Sequence, residues 1–284
     1  MLTDSHVHIE RGEYTKEWID RFMETGKKKG IEKLCITEHV HLFQEFKDIP
    51  SMLIKKFDEN KDTLFMKEWW LKNCKKKLDL YVQFIEDLKR EGYPLKLGME
   101  VDWLGEEPNE LIQEVISKYP WDILIGSVHW IRGWGFDHPD RLFTWKKRDI
   151  YKVYEDYFSL IKEAAQSKMF DIIGHLDVIK LFGIYPEKDW LNMAKEAIKI
   201  ISKVKIAVEV NTAGLRKPVG EIYPDEKLLD FLKDKKVPLT LSSDAHNPED
   251  VGYKFDEVLK ILKEKGCKKL ITFNKRSPSF ISII

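Results

Sequence analysis

The sequence predicts an α/β fold in which a parallel sheet closes into a barrel of seven or eight strand–helix units. Short apolar segments alternate with longer amphipathic, Lys- and Glu-rich ones, no Gly/Ser/Pro linker or internal repeat interrupts them, and unusual polar residues recur where the apolar segments end. The predicted strands cover residues 2–7, 33–37, 95–101, 122–128, 170–175, 205–210 and 237–242, with a possible eighth at 269–273. Between them the 3.6-residue pattern predicts helices at 15–29, 68–91, 109–118, 150–167, 190–203 and 225–235. A chain of 284 residues with 43% apolar content can bury a full core, and without a linker residues 1–284 are expected to form one domain.

Composition narrows the function classes. The 48 basic and 48 acidic residues cancel, so charge gives no reason to expect nucleic acid, a membrane surface or a polyacidic partner. The opening MLTDSHVHIE lacks the basic–apolar–small order of a signal peptide, and no apolar run reaches the roughly 18 to 20 residues needed to span a bilayer. A cytoplasmic protein is expected. Cys35, Cys74 and Cys267 are widely spaced, with no Cys-x-x-Cys pair, and are expected to be buried thiols.

The informative residues fall at strand ends. His6 and His8 close the first strand, Glu38 and His39 the second, Glu100 lies in the third, His129 follows the fourth, His175 the fifth, and Asp244 and His246 the seventh. On a barrel these C-terminal ends converge on one mouth, so residues 240 positions apart can meet. In His6-Val7-His8 the period of two puts both imidazoles on one side, and Asp244-Ala245-His246 repeats that geometry with an oxygen donor. Glu100 is a carboxylate inside an apolar stretch, which is costly unless it is paired or metal-bound. Taken singly, each residue is also what a satisfied structural group looks like. Taken together, with six of the eight histidines at the mouth, they form a ligand set. Histidine and carboxylate without cysteine suits zinc, iron or manganese, and so many ligands imply more than one ion.

The order His6-x-His8, Thr37-Glu38-His39, Glu100, Ser127-Val128-His129, Gly174-His175 and Ser243-Asp244-Ala245-His246 resembles the PHP (polymerase and histidinol phosphatase) family over nearly the whole chain. The length and the segment Asn211-Thr212-Ala213-Gly214-Leu215-Arg216-Lys217 resemble its stand-alone histidinol-phosphate phosphatase branch. The resemblance implies a distorted (β/α)7 TIM-like barrel with two or three divalent transition-metal ions. His6, His8, Glu100 and Asp244 would hold the first, Glu100 would bridge to a second held by His129 and His175, and His39 and His246 would hold the third. One position departs from the pattern. Family members often carry a further histidine some six residues after His8, where this chain has Tyr14. Glu10 or Glu13 must then complete the third site, and Glu10 is favoured because it continues the alternating face of His6 and His8.

The resemblance implies phosphate-monoester hydrolysis, with L-histidinol phosphate as the expected small-molecule substrate and histidine biosynthesis as the setting. Asp244 is the candidate to orient the attacking water or take its proton, and His246 to assist the leaving alkoxide. Arg216, Lys217 and Arg132, each in a loop after a strand, are candidates to grip phosphoryl oxygens. His41 and His138 have no motif role and are expected to support the ligands or lie on the surface, while Trp130, Trp134 and Phe136 are candidates to wall the pocket. The competing readings are a PHP-type nuclease or other phosphoesterase, which would show a basic groove, and a non-catalytic scaffold, which would lack ligands.

Overall fold

A computed structural model describes residues 2–283. Seven strands form one all-parallel sheet in sequence order: β1 (Leu2–Val7), β2 (Ile31–His39), β3 (Leu95–Asp102), β4 (Ile123–Ser127), β5 (Ile172–Ile173), β6 (Ala207–Asn211) and β7 (Leu239–Ser242). The sheet curls until β1 meets β7. There Val7 and Ala245 form a parallel bridge, His8 N donates to Ala245 O at 2.8 Å, and the hydroxyls of Ser5 and Thr240 lie 2.7 Å apart. The expected seven-stranded, nearly closed and distorted barrel is what is found. Nine helices among the described residues pack around it: α1 (Lys16–Lys28), α2 (Ile49–Phe57), α3 (Lys61–Asn73), α4 (Leu78–Arg90), α5 (Glu106–Ile116), α6 (Ile150–Gln166), α7 (Leu191–Val204), α8 (Glu226–Asp234) and α9 (Phe255–Glu264). None is long and apolar enough to cross a membrane.

Two expectations change. The predicted helix 68–91 is two helices, because the backbone N–H groups of Lys75 and Lys76 leave the helical ladder to donate to Leu42 O. The possible eighth strand does form, as β8 (Lys269–Asn274), but it pairs antiparallel with β9 (Ser277–Ser282) rather than joining the sheet. Its Ile271 and Phe273 plug the N-terminal end of the barrel, packing with Cys35, Ile123, Ile125, Ile172 and Ala207. Cys74 is also buried and Cys267 half-buried, and all three cysteines are free thiols.

Strand alternation then sorts one strand's side chains by depth. On β3, Lys96 reaches the plug and donates to Thr272 Oγ1 at 2.6 Å, while Glu100 and Asp102, on the same face further along, stand at the mouth.

Candidate metal centre

Glu100 is the hub. It is 1% exposed, and its Oε2 lies 2.7 Å from His39 Nδ1, 3.4 Å from His6 Nε2 and 3.5 Å from His8 Nε2. Its Oε1 lies 3.0 Å from His175 Nε2 and 3.6 Å from His129 Nε2. One carboxylate thus faces imidazoles on both sides. Asp244 closes the ring, with Oδ1 3.5 Å from His8 Nε2 and 3.5 Å from His246 Nδ1. Its φ of 51° is a left-handed backbone that costs a non-glycine residue energy and is typical of functional turns. Gly174, just before His175, fits because a Cβ there would stand 2.4 Å from Ser127 Oγ.

Two carboxylates that the motif reading did not single out orient the ring. His129 Nδ1 donates to Asp102 Oδ1 at 2.7 Å and His6 Nδ1 donates to Glu209 Oε2 at 3.0 Å, which aims each Nε2 at Glu100. Glu209 also accepts from His175 N at 2.6 Å, Asn211 Nδ2 at 2.7 Å and Ser242 Oγ at 2.9 Å. Both were signalled in the sequence. Glu209 sits between Val208 and Val210 as Glu100 sits between Met99 and Val101, and Asp102 follows Glu100 at the same-face spacing of two.

The charges of the ring act on one another, and the carboxylates outweigh burial to raise His6, His39 and His129 above the ordinary imidazole value. Burial alone would raise Glu100, but His39, His6 and His129 outweigh it and hold the carboxylate well below its usual range. Burial, reinforced by His39 and His246, pushes His8 well below the ordinary imidazole value and keeps it neutral, with one ring nitrogen able to act as a ligand. His6 Nε2 and both nitrogens of His8 are buried without a hydrogen-bond partner. Such orphans cost about 1–3 kcal/mol each unless something completes them. The donors converge as His6, His8 and Glu100; as Glu100, His129 and His175; and as His8, His39 and His246, each set with ligand atoms within 4.8 Å of one another.

At the third position Glu10 is brought in, with Oε1 3.8 Å from His246 Nε2, while Glu13 is exposed. Glu38 joins unexpectedly: with His8 and Glu10 it makes a fourth such set. Its Oε1 accepts from Ile9 N at 2.8 Å, and burial followed by repulsion from Glu10 pushes its carboxyl up to about 8. Tyr14 stands on this flank, its ring stacked on Phe84 at 5.5 Å and capped by the Lys76 ammonium at 3.9 Å.

The three candidate phosphate cations part ways. Lys217 lines the cavity of about 220 Å³ above the ring. Arg216 does not, because its Nη2 donates to Ser243 O at 2.8 Å and Asp244 O at 3.1 Å and its Nε faces Asp250 Oδ1 at 3.4 Å. It clamps the Asp244 turn instead. Arg132 is exposed at positive φ on the turn of the short Trp130–Ile131/Trp134–Gly135 ladder and faces a different cavity, with Lys56 and Glu163. His41 and His138 line the metal cavity after all, as do Asp137 and Trp130. Trp134 and Phe136 are core, packed on Trp145 and Tyr157.

Comparison with known proteins gives a consistent result. The family model for the PHP domain matches residues 4–213. A probable histidinol-phosphatase of Deinococcus radiodurans is 31% identical over 280 residues, covering 97% of each chain. The histidinol-phosphatase of Bacillus subtilis is 27% identical over 277 residues, covering 90% of this chain and 97% of its own. Among solved structures, histidinol phosphate phosphatase of Lactococcus lactis, complexed with zinc, L-histidinol and phosphate, has the same fold. Its TM-score is 0.70 at 19% identity, with 98% of both chains covered.

Proposed function

The chain belongs to the PHP family, and from that premise and the geometry of the mouth we propose that it is a metal-dependent phosphatase that splits L-histidinol phosphate into L-histidinol and phosphate. The observation that carries this reading is the convergence of five imidazoles on Glu100, with His6 Nε2 and His8 Nε2 buried without a hydrogen-bond partner and Asp102 and Glu209 fixing His129 and His6 from behind. Residues 1–284 act as one domain in this reading, at a step of histidine biosynthesis in the cytoplasm.

His6, His8, Glu100 and Asp244 would hold one ion, Glu100, His129 and His175 a second, and His39, His246 and Glu10 a third; all the donors are nitrogen or oxygen, as zinc, iron and manganese accept. Such ions, when bound, supply a water acidic enough to attack phosphorus near neutral pH and neutralise the phosphoryl oxygens. Asp244, its Oδ2 within 3.3 Å of Asn211 Nδ2, is placed to orient the attacking water. Its burial is outweighed by His6, His246 and His8, which hold the carboxyl well below its usual range, and this suits a ligand better than a proton acceptor. Burial lowers His246, which suits a ligand with a free lone pair better than a proton donor to the leaving alkoxide. Lys217 is the cation at hand for the outer phosphoryl oxygens, and Asp137 offers a carboxylate to the ammonium of the amino alcohol. Arg216 contributes by fixing the Asp244 turn.

The test is phosphate release from L-histidinol phosphate, from other small monoesters and from single-stranded DNA by the metal-reconstituted protein. A preference for L-histidinol phosphate by orders of magnitude is expected, because a pocket built for an imidazole and an ammonium rejects esters that leave its polar groups unpaired. Faster cleavage of DNA would favour a PHP nuclease. No preference among monoesters would leave only a general phosphoesterase.

A further inference from the structure

Five tyrosines bury their rings close to the barrel, and their hydroxyls are treated differently. Tyr81 donates to Ile36 O and Gly98 O, Tyr154 to Ile184 O and Tyr157 to Leu176 O. Tyr14 and Tyr223 have no partner. Tyr14 stands outside the metal cavity, whereas Tyr223, 1% exposed, lines it beside His175, with ring centroids 6.4 Å apart.

The segment carrying Tyr223 is fixed on both sides. Tyr223 and Asn211 exchange backbone hydrogen bonds of 2.6 and 2.9 Å. Upstream, the buried Lys180 donates to Glu221 Oε2 at 2.9 Å, and downstream Asp225 N donates to Asp177 Oδ2 at 2.7 Å. The ring tip leans on Gly214, where a Cβ would stand 2.9 Å from Tyr223 Cζ. Burial, with Asp177 and Asp244 nearby, keeps the phenol protonated far above its usual range. A neutral, immobilised O–H donor therefore stands unused at the wall of the reaction cavity, which the imidazole ring and Lys217 also line.

We propose that the Tyr223 hydroxyl is a substrate-binding group that donates a hydrogen bond to a phosphoryl oxygen of the bound ester. The phosphoryl end of such an ester offers strong acceptors and the ammonium end only donors, so an O–H beside the groups that would hold the ions matches the phosphate. A phenol does this without placing another full positive charge beside Lys217. The inference rests on the phosphatase reading above.

The experiment compares wild type, Tyr223→Phe and, as a control whose hydroxyl is already consumed by a carbonyl, Tyr154→Phe. It measures kcat and KM for L-histidinol phosphate, the inhibition constant of inorganic phosphate, metal content and the thermal midpoint. For Tyr223→Phe, kcat/KM is expected to fall about ten- to a hundredfold and phosphate inhibition to weaken about tenfold, with metal content and thermal midpoint near wild type. Tyr154→Phe should leave phosphate inhibition unchanged. Tyr223→Phe within twofold of wild type, a loss that follows loss of metal, or an equal loss in Tyr154→Phe would each overturn the inference. Wild-type protein inactive on L-histidinol phosphate but active on another monoester would sink the substrate reading alone, since the same comparison then runs on that ester.

Discussion

At the closed end of the barrel, Asp122 accepts from Leu97 N at 2.9 Å, Lys275 N at 2.9 Å and the Lys89 ammonium at 2.7 Å, and Asp171 accepts from Leu124 N at 2.9 Å and Arg276 Nε at 3.0 Å. At the open end, His6 Nε2, both nitrogens of His8 and one oxygen each of Glu10 and Glu38 have no hydrogen-bond partner. The same strands run through both ends, so the difference lies in what each end is built to meet. The closed end completes the carboxylates Asp122 and Asp171 with protein donors, and the result is stability. The open end leaves nitrogen and carboxylate atoms converging without partners, a cost that bound cations would offset.

The contrast breaks most visibly at its hub. Glu100→Ala is expected to lower activity about a thousandfold or more and to strip metal, since a carboxylate shared by two ions supplies several kcal/mol. His39→Ala should do less, because it serves one site only. Equal losses, measured as kcat/KM alongside metal content, would remove Glu100 from the centre. Next in size, Asp102→Ala frees His129 to turn and should cost about ten- to a hundredfold in metal affinity or activity. An unchanged metal titration would show that Asp102 is merely structural.

A change at the closed end should read out the other way. Asp122→Asn is expected to cost about 1.5–3 kcal/mol of stability at neutral pH, while metal content and KM stay at wild-type values. Burial would raise Asp122, but the Lys89 hydrogen bond and the backbone donors outweigh it and hold the carboxyl below its ordinary 3.8. A depressed carboxylate contributes stability that is present above its unfolded value and lost as pH falls through the folded one. The gap between wild type and Asp122→Asn in thermal midpoint should therefore persist at neutral pH and shrink on acidification below about 3.8. A gap that widens there would reverse the assignment. The smallest effect is expected at the mouth's edge, where the exposed Lys217, changed to Ala, should raise KM several-fold with kcat unchanged and with the difference fading at high salt. A fall in kcat instead would make Lys217 part of the chemistry.

The meeting of these residues at one mouth was largely legible because strand alternation and the cost of buried charge act locally. His6 and His8, Glu100, and Asp244 with His246 were expected together from their places at strand ends, and the ligand sets proposed for them come from the family resemblance. What depended on side-chain direction was not legible. Arg216 and Lys217 are neighbours, yet the 3₁₀ turn Ala213–Arg216 sends the first to the carbonyls of Ser243 and Asp244 and the second to the cavity. Arg132 follows the same logic, carried outward by its own turn. The segment 269–273 reads as a barrel strand because nothing local marks the hairpin. Lys275 and Arg276 adopt left-handed backbone without glycine, held there by Asp122 and Asp171, partners some 100 to 150 residues away.

Metal counting on protein purified without chelator and then reconstituted tests the central claim most directly. Elemental analysis should find more than one transition-metal ion per chain, because one ion cannot satisfy the donor sets on both sides of Glu100. A stoichiometry at or below one would contradict it and leave the open end of the barrel an unexplained cluster of buried imidazoles.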